Sequence, residues 1–268
     1  MYRYSANISL LYQELPFLER FEAAAAAGFD ATECWFPYAH TIKELRAAIG
    51  ASGIPLISLN TAPGDTSAGE FGLAGVHGRE SAFRAALLQA AEYATALEVP
   101  NVHVLAGMVT GAAERARGME IYRDNLERGL EWVAGAPVTL LIEASNAADR
   151  PDYLLHRSDE ANAIVRETDH PQLRQLFDCY HTQRQEGDVA RRVREQLGQI
   201  VHIQFAGAPN RGHPAEGELN LPYVFQAAQA AGYTGYLGAE YIPAGPTGDS
   251  LDWMQSFATA THGAGGTT

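Results

Sequence analysis

Lysine is all but missing. Lys43 stands alone, and the other eighteen of the nineteen basic side chains are arginines. Schiff-base catalysis needs a lysine amine in a pocket, so lysine-dependent aldolase or pyridoxal chemistry would have to rest on Lys43. Cysteine is equally scarce: Cys34 and Cys179 cannot build a disulfide framework, and their spacing matches no zinc motif, which fits a reducing compartment. Positive charge is in deficit, with 19 basic against 32 acidic residues and a net charge of −13. The averaged field therefore repels phosphate backbones and anionic lipid, which argues against nucleic acid and membrane as partners. No apolar run approaches the roughly 18 residues of a membrane span, and the first residues lack the basic and apolar segments of a secretory signal. A cytoplasmic location is the expectation.

What is present is a regular alternation. Short apolar, β-branched runs occur at 4–10, 31–36, 55–61, 101–106, 138–143, 173–178, 200–206 and 235–241, and they predict eight strands. Helical periodicity fills 17–27, 41–51, 80–97, 113–134, 158–167, 188–197, 222–231 and 251–261. Several of these helices run into glycine at Gly28, Gly53, Gly135, Gly198 and Gly232, as C-termini closed by a left-handed residue do. Alternating strands and helices imply parallel strands joined by right-handed crossovers, and eight such units close a barrel. The expected fold is α/β, a single (β/α)8 TIM barrel over residues 1–262, followed by a flexible tail at 263–268. An open doubly wound sheet is the rival, but no Gly-x-Gly-x-x-Gly follows the first strand. The long glycine-rich connection 62–78 reads either as a lid or as an ordinary surface loop.

In such a barrel the chemistry sits at the C-terminal ends of the strands. Four polar residues end apolar runs there: Glu143, Asp178, Gln204 and Glu240, from strands five to eight. Any one such acid is readily explained by an arginine partner or a capped loop; four at successive strand ends point to a common guest. Three carboxylates and an amide oxygen form an all-oxygen set suited to one divalent cation, Mg²⁺ or Mn²⁺, rather than Zn²⁺. Two glutamates flanking a cation supply what aldose–ketose isomerisation needs: the cation acidifies the carbon-bound proton beside a carbonyl and stabilises a cis-enediolate, while one glutamate removes the proton and the other returns one. Glu143 and Glu240 are the expected acid–base pair. A small oxo-acid substrate also needs a cation for its carboxylate, and Arg211, with its planar fork, is the leading candidate over a solvated loop arginine. Asn60, Glu33 and the run Trp35-Phe36-Pro37-Tyr38 are candidate pocket walls, whereas His103 and His202 read as satisfied core residues.

These segments together resemble a known family. Ser5 to Leu11, Trp35 to Tyr38, Ile142-Glu143, Phe177 to His181, Ile203-Gln204 with Pro209 to Gly212, Gly217 to Asn220 and Gly238 to Tyr241 look like the hydroxypyruvate isomerase family of xylose-isomerase-like TIM barrels. The resemblance implies interconversion of hydroxypyruvate and tartronate semialdehyde, or of 2-oxo- and 3-oxo-tetronate. It also implies a metal held by Glu143, Asp178, Gln204 and Glu240, with Glu143 and Glu240 as acid and base. His181 and Arg211 fall where related ketose 3-epimerases contact substrate, but those epimerases have histidine at the position of Gln204, which favours the oxo-acid isomerases. Gly207-Ala208 departs from an Asp-Asn pair common in relatives. A ketose 3-epimerase, a DNA-repair endonuclease of the same superfamily and a non-catalytic sugar-acid-binding barrel are the competing readings. A homo-oligomer is an open expectation.

Overall fold

Short runs of β-branched and apolar residues bounded by turns favour strands buried on both faces, as the burial of these segments bears out. The computed structural model describes residues 2–260, with side chains through 257, so the tail expected at 263–268 lies outside the described residues. The strands are β1 (Arg3–Asn7), β2 (Ala31–Glu33), β3 (Leu56–Asn60), β4 (Asn101–His103), β5 (Thr139–Ile142), β6 (Leu173–Asp178), β7 (Ile200–Phe205) and β8 (Tyr236–Ala239). They hydrogen-bond in sequence order as a closed barrel, the (β/α)8 arrangement expected. The α-helices are α1 (Arg20–Ala26), α2 (Ile42–Ser52), α3 (Glu80–Leu97), α4 (Ala112–Trp132), α5 (Ser158–Thr168), α6 (Cys179–Gln185), α7 (Val189–Gln196), α8 (Leu221–Ala230) and α9 (Asp252–Ala260). Among the described residues, no helix is long and apolar enough to cross a membrane.

Contacts divide the chain into two compact units. The first comprises, of the described residues, 2–33, Ala47–Pro55 and 177–260. Here β1 pairs in parallel with β2 and β8, and β8 with β7, so that Ser5, Gly238 and Gln204 stand in one row across three strands. Its core is aromatic: the fully buried Trp253 meets Tyr4 edge-on at 5.1 Å and Phe205 at 5.2 Å, and Phe205 meets Phe225 at 5.0 Å. Such pairs add about 0.5–1.5 kcal/mol each beyond the area they bury.

The second unit comprises Cys34–Arg46 and Leu56–Leu176. Helix α3 buries Phe83, Leu87, Ala90, Ala94 and Leu97, a three- and four-residue spacing that forms one apolar stripe. Gly129 lets α4 approach α3: a β-carbon there would lie 2.9 Å from Leu87 Cδ2. The connection 62–78 is tied down. Glu70 bonds the Asp65 N–H and Arg79, Gly72 bridges to Ala106, and Phe71 packs against Trp35 and Phe36 with Arg150 3.6 Å over its ring.

Two details differ from the sequence expectation. Gly28, Gly53, Gly135 and Gly232 adopt the left-handed conformation, but Gly198 does not: the chain leaves α7 through turns in which the Gln199 and Ile200 N–H groups donate to the Gln196 and Leu197 carbonyls. Helix α6 was not expected: Cys-Tyr-His-Thr-Gln-Arg-Gln has no apolar period, and Asp178 starts it as N-cap by accepting from the Tyr180 and His181 N–H groups.

Candidate active site

In the first unit, Asp178 ends β6, Gln204 lies on β7 and Glu240 follows β8 directly, each buried to at least 96%. Arg211, on the loop after β7, is not a solvated loop arginine. Its Nη2 donates to Glu240 Oε2, its Nε donates to the Glu240 carbonyl at 3.2 Å, and Nη2 stands 3.7 Å from Asp178 Oδ2. Its backbone takes the left-handed conformation (φ 53°), and its guanidinium lies 5.4 Å over the Tyr180 ring. Asn7 Nδ2 donates to Glu240 Oε1 at 2.7 Å, so both carboxylate oxygens are oriented. His181, buried on α6, places Nε2 3.7 Å from Asp178 Oδ2. The structure thus brings Asp178, His181, Arg211 and Glu240 together.

The Asp178 oxygens are used unequally. Oδ1 accepts the two α6 N–H groups, whereas Oδ2 accepts no hydrogen bond. Burial pushes the Asp178 carboxyl above its ordinary value, opposed by the Arg211 guanidinium and the α6 amides. Gln204 shows the same asymmetry: Nε2 donates to Glu33 Oε2 at 2.6 Å, and Oε1 has no partner. Buried acceptors are nearly always satisfied, so each of these oxygens is open to a further ligand. Both are hard oxygen donors, which fits the divalent cation that the fold family implies.

Glu33 is the residue whose importance sequence reasoning missed, having read it only as a candidate wall. Fully buried, it accepts from Ser5 Oγ at 2.9 Å, His202 Nε2 at 3.0 Å and Gln204 Nε2 at 2.6 Å. Burial pushes its carboxyl up, but the His202 charge and these hydrogen bonds outweigh it and hold the group below its ordinary value. His202 is therefore a satisfied core histidine, as expected.

In the second unit, Glu143 follows β5 and is buried, with His103 Nε2 from β4 3.7 Å from its Oε2. Asn60 ends β3, buried, its carbonyl accepting from the Tyr38 hydroxyl. Trp35 and Phe36 each pack edge-on against Phe71. Both cysteines are buried and unbridged.

A family model described as xylose isomerase-like TIM barrel matches residues 21–257. The chain belongs to this family. It is 44% identical over 257 residues to 2-oxo-tetronate isomerase of Cupriavidus necator, covering 96% of this chain and 99% of that one. It is 39% identical over 262 residues to a putative hydroxypyruvate isomerase of Homo sapiens, covering 95% of each. Among solved structures, AP endonuclease, family 2 from Brucella melitensis superposes with a TM-score of 0.92 at 35% identity, covering 96% of this chain and 99% of that one. The chain is an isomerase, hydroxypyruvate isomerase-like in kind.

Proposed function

We propose that this chain is a divalent-cation-dependent isomerase of a small hydroxy-oxo acid. The identity to the Cupriavidus enzyme favours 2-oxo-tetronate as substrate, ahead of hydroxypyruvate. The observation that carries the cation is the pair of buried oxygens, Asp178 Oδ2 and Gln204 Oε1, that accept no hydrogen bond from the protein. The resemblance adds Glu143 and Glu240 to the proposed ligand set, and in the first unit the buried His181 stands beside Asp178. When bound, a Mg²⁺ or Mn²⁺ ion polarises the carbonyl and the neighbouring hydroxyl of the substrate.

The protein's own groups do the rest. One of Glu143 and Glu240 takes the proton from the hydroxyl-bearing carbon, the other delivers a proton to the former carbonyl carbon, and the hydroxyl proton passes to the former carbonyl oxygen, so the carbonyl group moves by one position. Asn7 and Arg211 hold the Glu240 carboxylate oriented for this transfer. Arg211 is also the proposed anchor for the substrate carboxylate, with His181 and Asn60 as further contacts. The net charge of −13 disfavours a DNA backbone as substrate, despite the endonuclease name of one structural relative.

The test is an assay of the purified protein on 2-oxo-tetronate and on hydroxypyruvate, each with and without EDTA. The expected result is product with the ketone relocated, activity lost in EDTA and activity restored by Mn²⁺. A metal-independent rate, or product that keeps its ketone and differs only as an epimer, would overturn the reading.

A further inference from the structure

An amide ligand carries an ambiguity that a carboxylate lacks. Rotating a glutamine side-chain amide by 180° exchanges an oxygen, which ligates a cation, for an NH₂, which cannot. Something must choose the orientation of Gln204. Packing does so poorly, because oxygen and NH₂ are nearly the same size. An ionised carboxylate does so well, because it only accepts hydrogen bonds, and Glu33 Oε2 sits 2.6 Å from Gln204 Nε2. With the NH₂ drawn to Glu33, Oε1 is turned away from it, and that oxygen is the buried atom without a partner.

We propose that Glu33 is a positioning residue that selects the liganding face of Gln204. The inference rests on the reading of Gln204 as a ligand. Two further features of the first unit are organised around this task. Glu33 is itself fixed at both oxygens, Oε1 by Ser5 and Oε2 by His202 as well as Gln204, so its carboxylate cannot rotate to release the amide. The barrel also makes room for it: Gly238 stands in register between Ser5 and Gln204, and a β-carbon there would lie 2.1 Å from Glu33 Oε1. A buried carboxylate is costly unless it is paired and hydrogen-bonded, and Glu33 meets that condition through His202, Ser5 and Gln204 rather than by contact with solvent. Orientation of the amide is what the carboxylate supplies in return.

The test is Mn²⁺ binding to the folded full-length protein, read by isothermal titration calorimetry with the metal alone. Glu33→Gln keeps the size and shape of the side chain while ending its obligatory acceptor character. The expected result is a 10- to 100-fold loss of Mn²⁺ affinity, the usual effect of removing the partner that orients a ligand. A packing role predicts no change. The exchanged pair Glu33→Gln/Gln204→Glu reverses donor and acceptor, whereas Gln204→Glu alone sets two carboxylates against each other. Because a carboxylate at 204 has no face to choose, the double variant is expected to bind Mn²⁺ at least as tightly as Gln204→Glu alone, and a double variant that binds about 10-fold more weakly would overturn the positioning role even where Glu33→Gln alone does not fold. Wild-type protein that binds Mn²⁺ together with a Glu33→Gln variant within about 3-fold of it would overturn the positioning role alone. Wild-type protein that binds no Mn²⁺ would overturn the cation reading and this inference with it.

Discussion

Gly238→Ala is a demanding test of how tightly the Glu33 network is built. Gly238 has no left-handed backbone, so alanine fits the strand conformation and should gain about 0.5–1 kcal/mol from lower chain entropy. The new methyl group would, however, lie 2.1 Å from Glu33 Oε1, 2.9 Å from His202 Nε2 and 3.0 Å from Gln204 Cγ. The carboxylate must retreat by about an ångström, and it is held on both oxygens. Losing one charge-assisted hydrogen bond costs about 1.5–3 kcal/mol, and overpacking of a tight interior costs about 1–3 kcal/mol. Net destabilisation of about 1.5–5 kcal/mol follows, a fall in Tm of roughly 3–20 °C for a chain of this size. Thermal melting by circular dichroism measures it. An unchanged or raised Tm would show that the carboxylate yields without penalty, and would refute the claim that Glu33 is fixed.

Glu143→Gln and Glu240→Gln should each lower turnover by about 10²-fold or more while the circular dichroism spectrum is unchanged, as removal of a general acid or base does; steady-state kinetics on the favoured substrate measures both. At α2, Thr41 Oγ1 accepts the Glu44 N–H while the Glu44 carboxylate accepts the Thr41 N–H. Thr41→Ala should cost about 1 kcal/mol in urea unfolding at neutral pH. The Thr41 hydroxyl and N–H hold the Glu44 carboxyl below its ordinary value, so this stabilisation is present above the ordinary carboxylate range and is lost as pH falls through the folded-state value. The deficit of Thr41→Ala should accordingly shrink in acid, and unfolding curves at pH 7 and pH 3 compare the two.

Much of the architecture was legible because its signals are local. Eight β-branched runs and the helices between them follow from periodicity, and α3 was expected at its observed bounds. The strand-end positions of Asp178, Gln204 and Glu240 followed from where apolar runs stop. What was not legible depends on partners distant in sequence or on a side chain acting on the backbone. Glu33 finds His202 and Gln204 at separations of 169 and 171 residues, and no local pattern announces that meeting. Arg211 was expected to await a substrate, and its attachment to Glu240 depends on a loop conformation that its left-handed backbone fixes. Helix α6 forms without an apolar period because Asp178 supplies its first acceptor.

That same start of α6 limits what Asp178 can offer. One of its oxygens is committed to the first turn of the helix, so a newcomer meets a single lone-pair face unless the turn unwinds. Large ions that prefer to straddle both oxygens of a carboxylate, as Ca²⁺ often does, are disadvantaged there relative to the smaller Mg²⁺. At the proposed cation site the fold would thereby select among ions through its secondary structure, before any difference in ligand chemistry is considered.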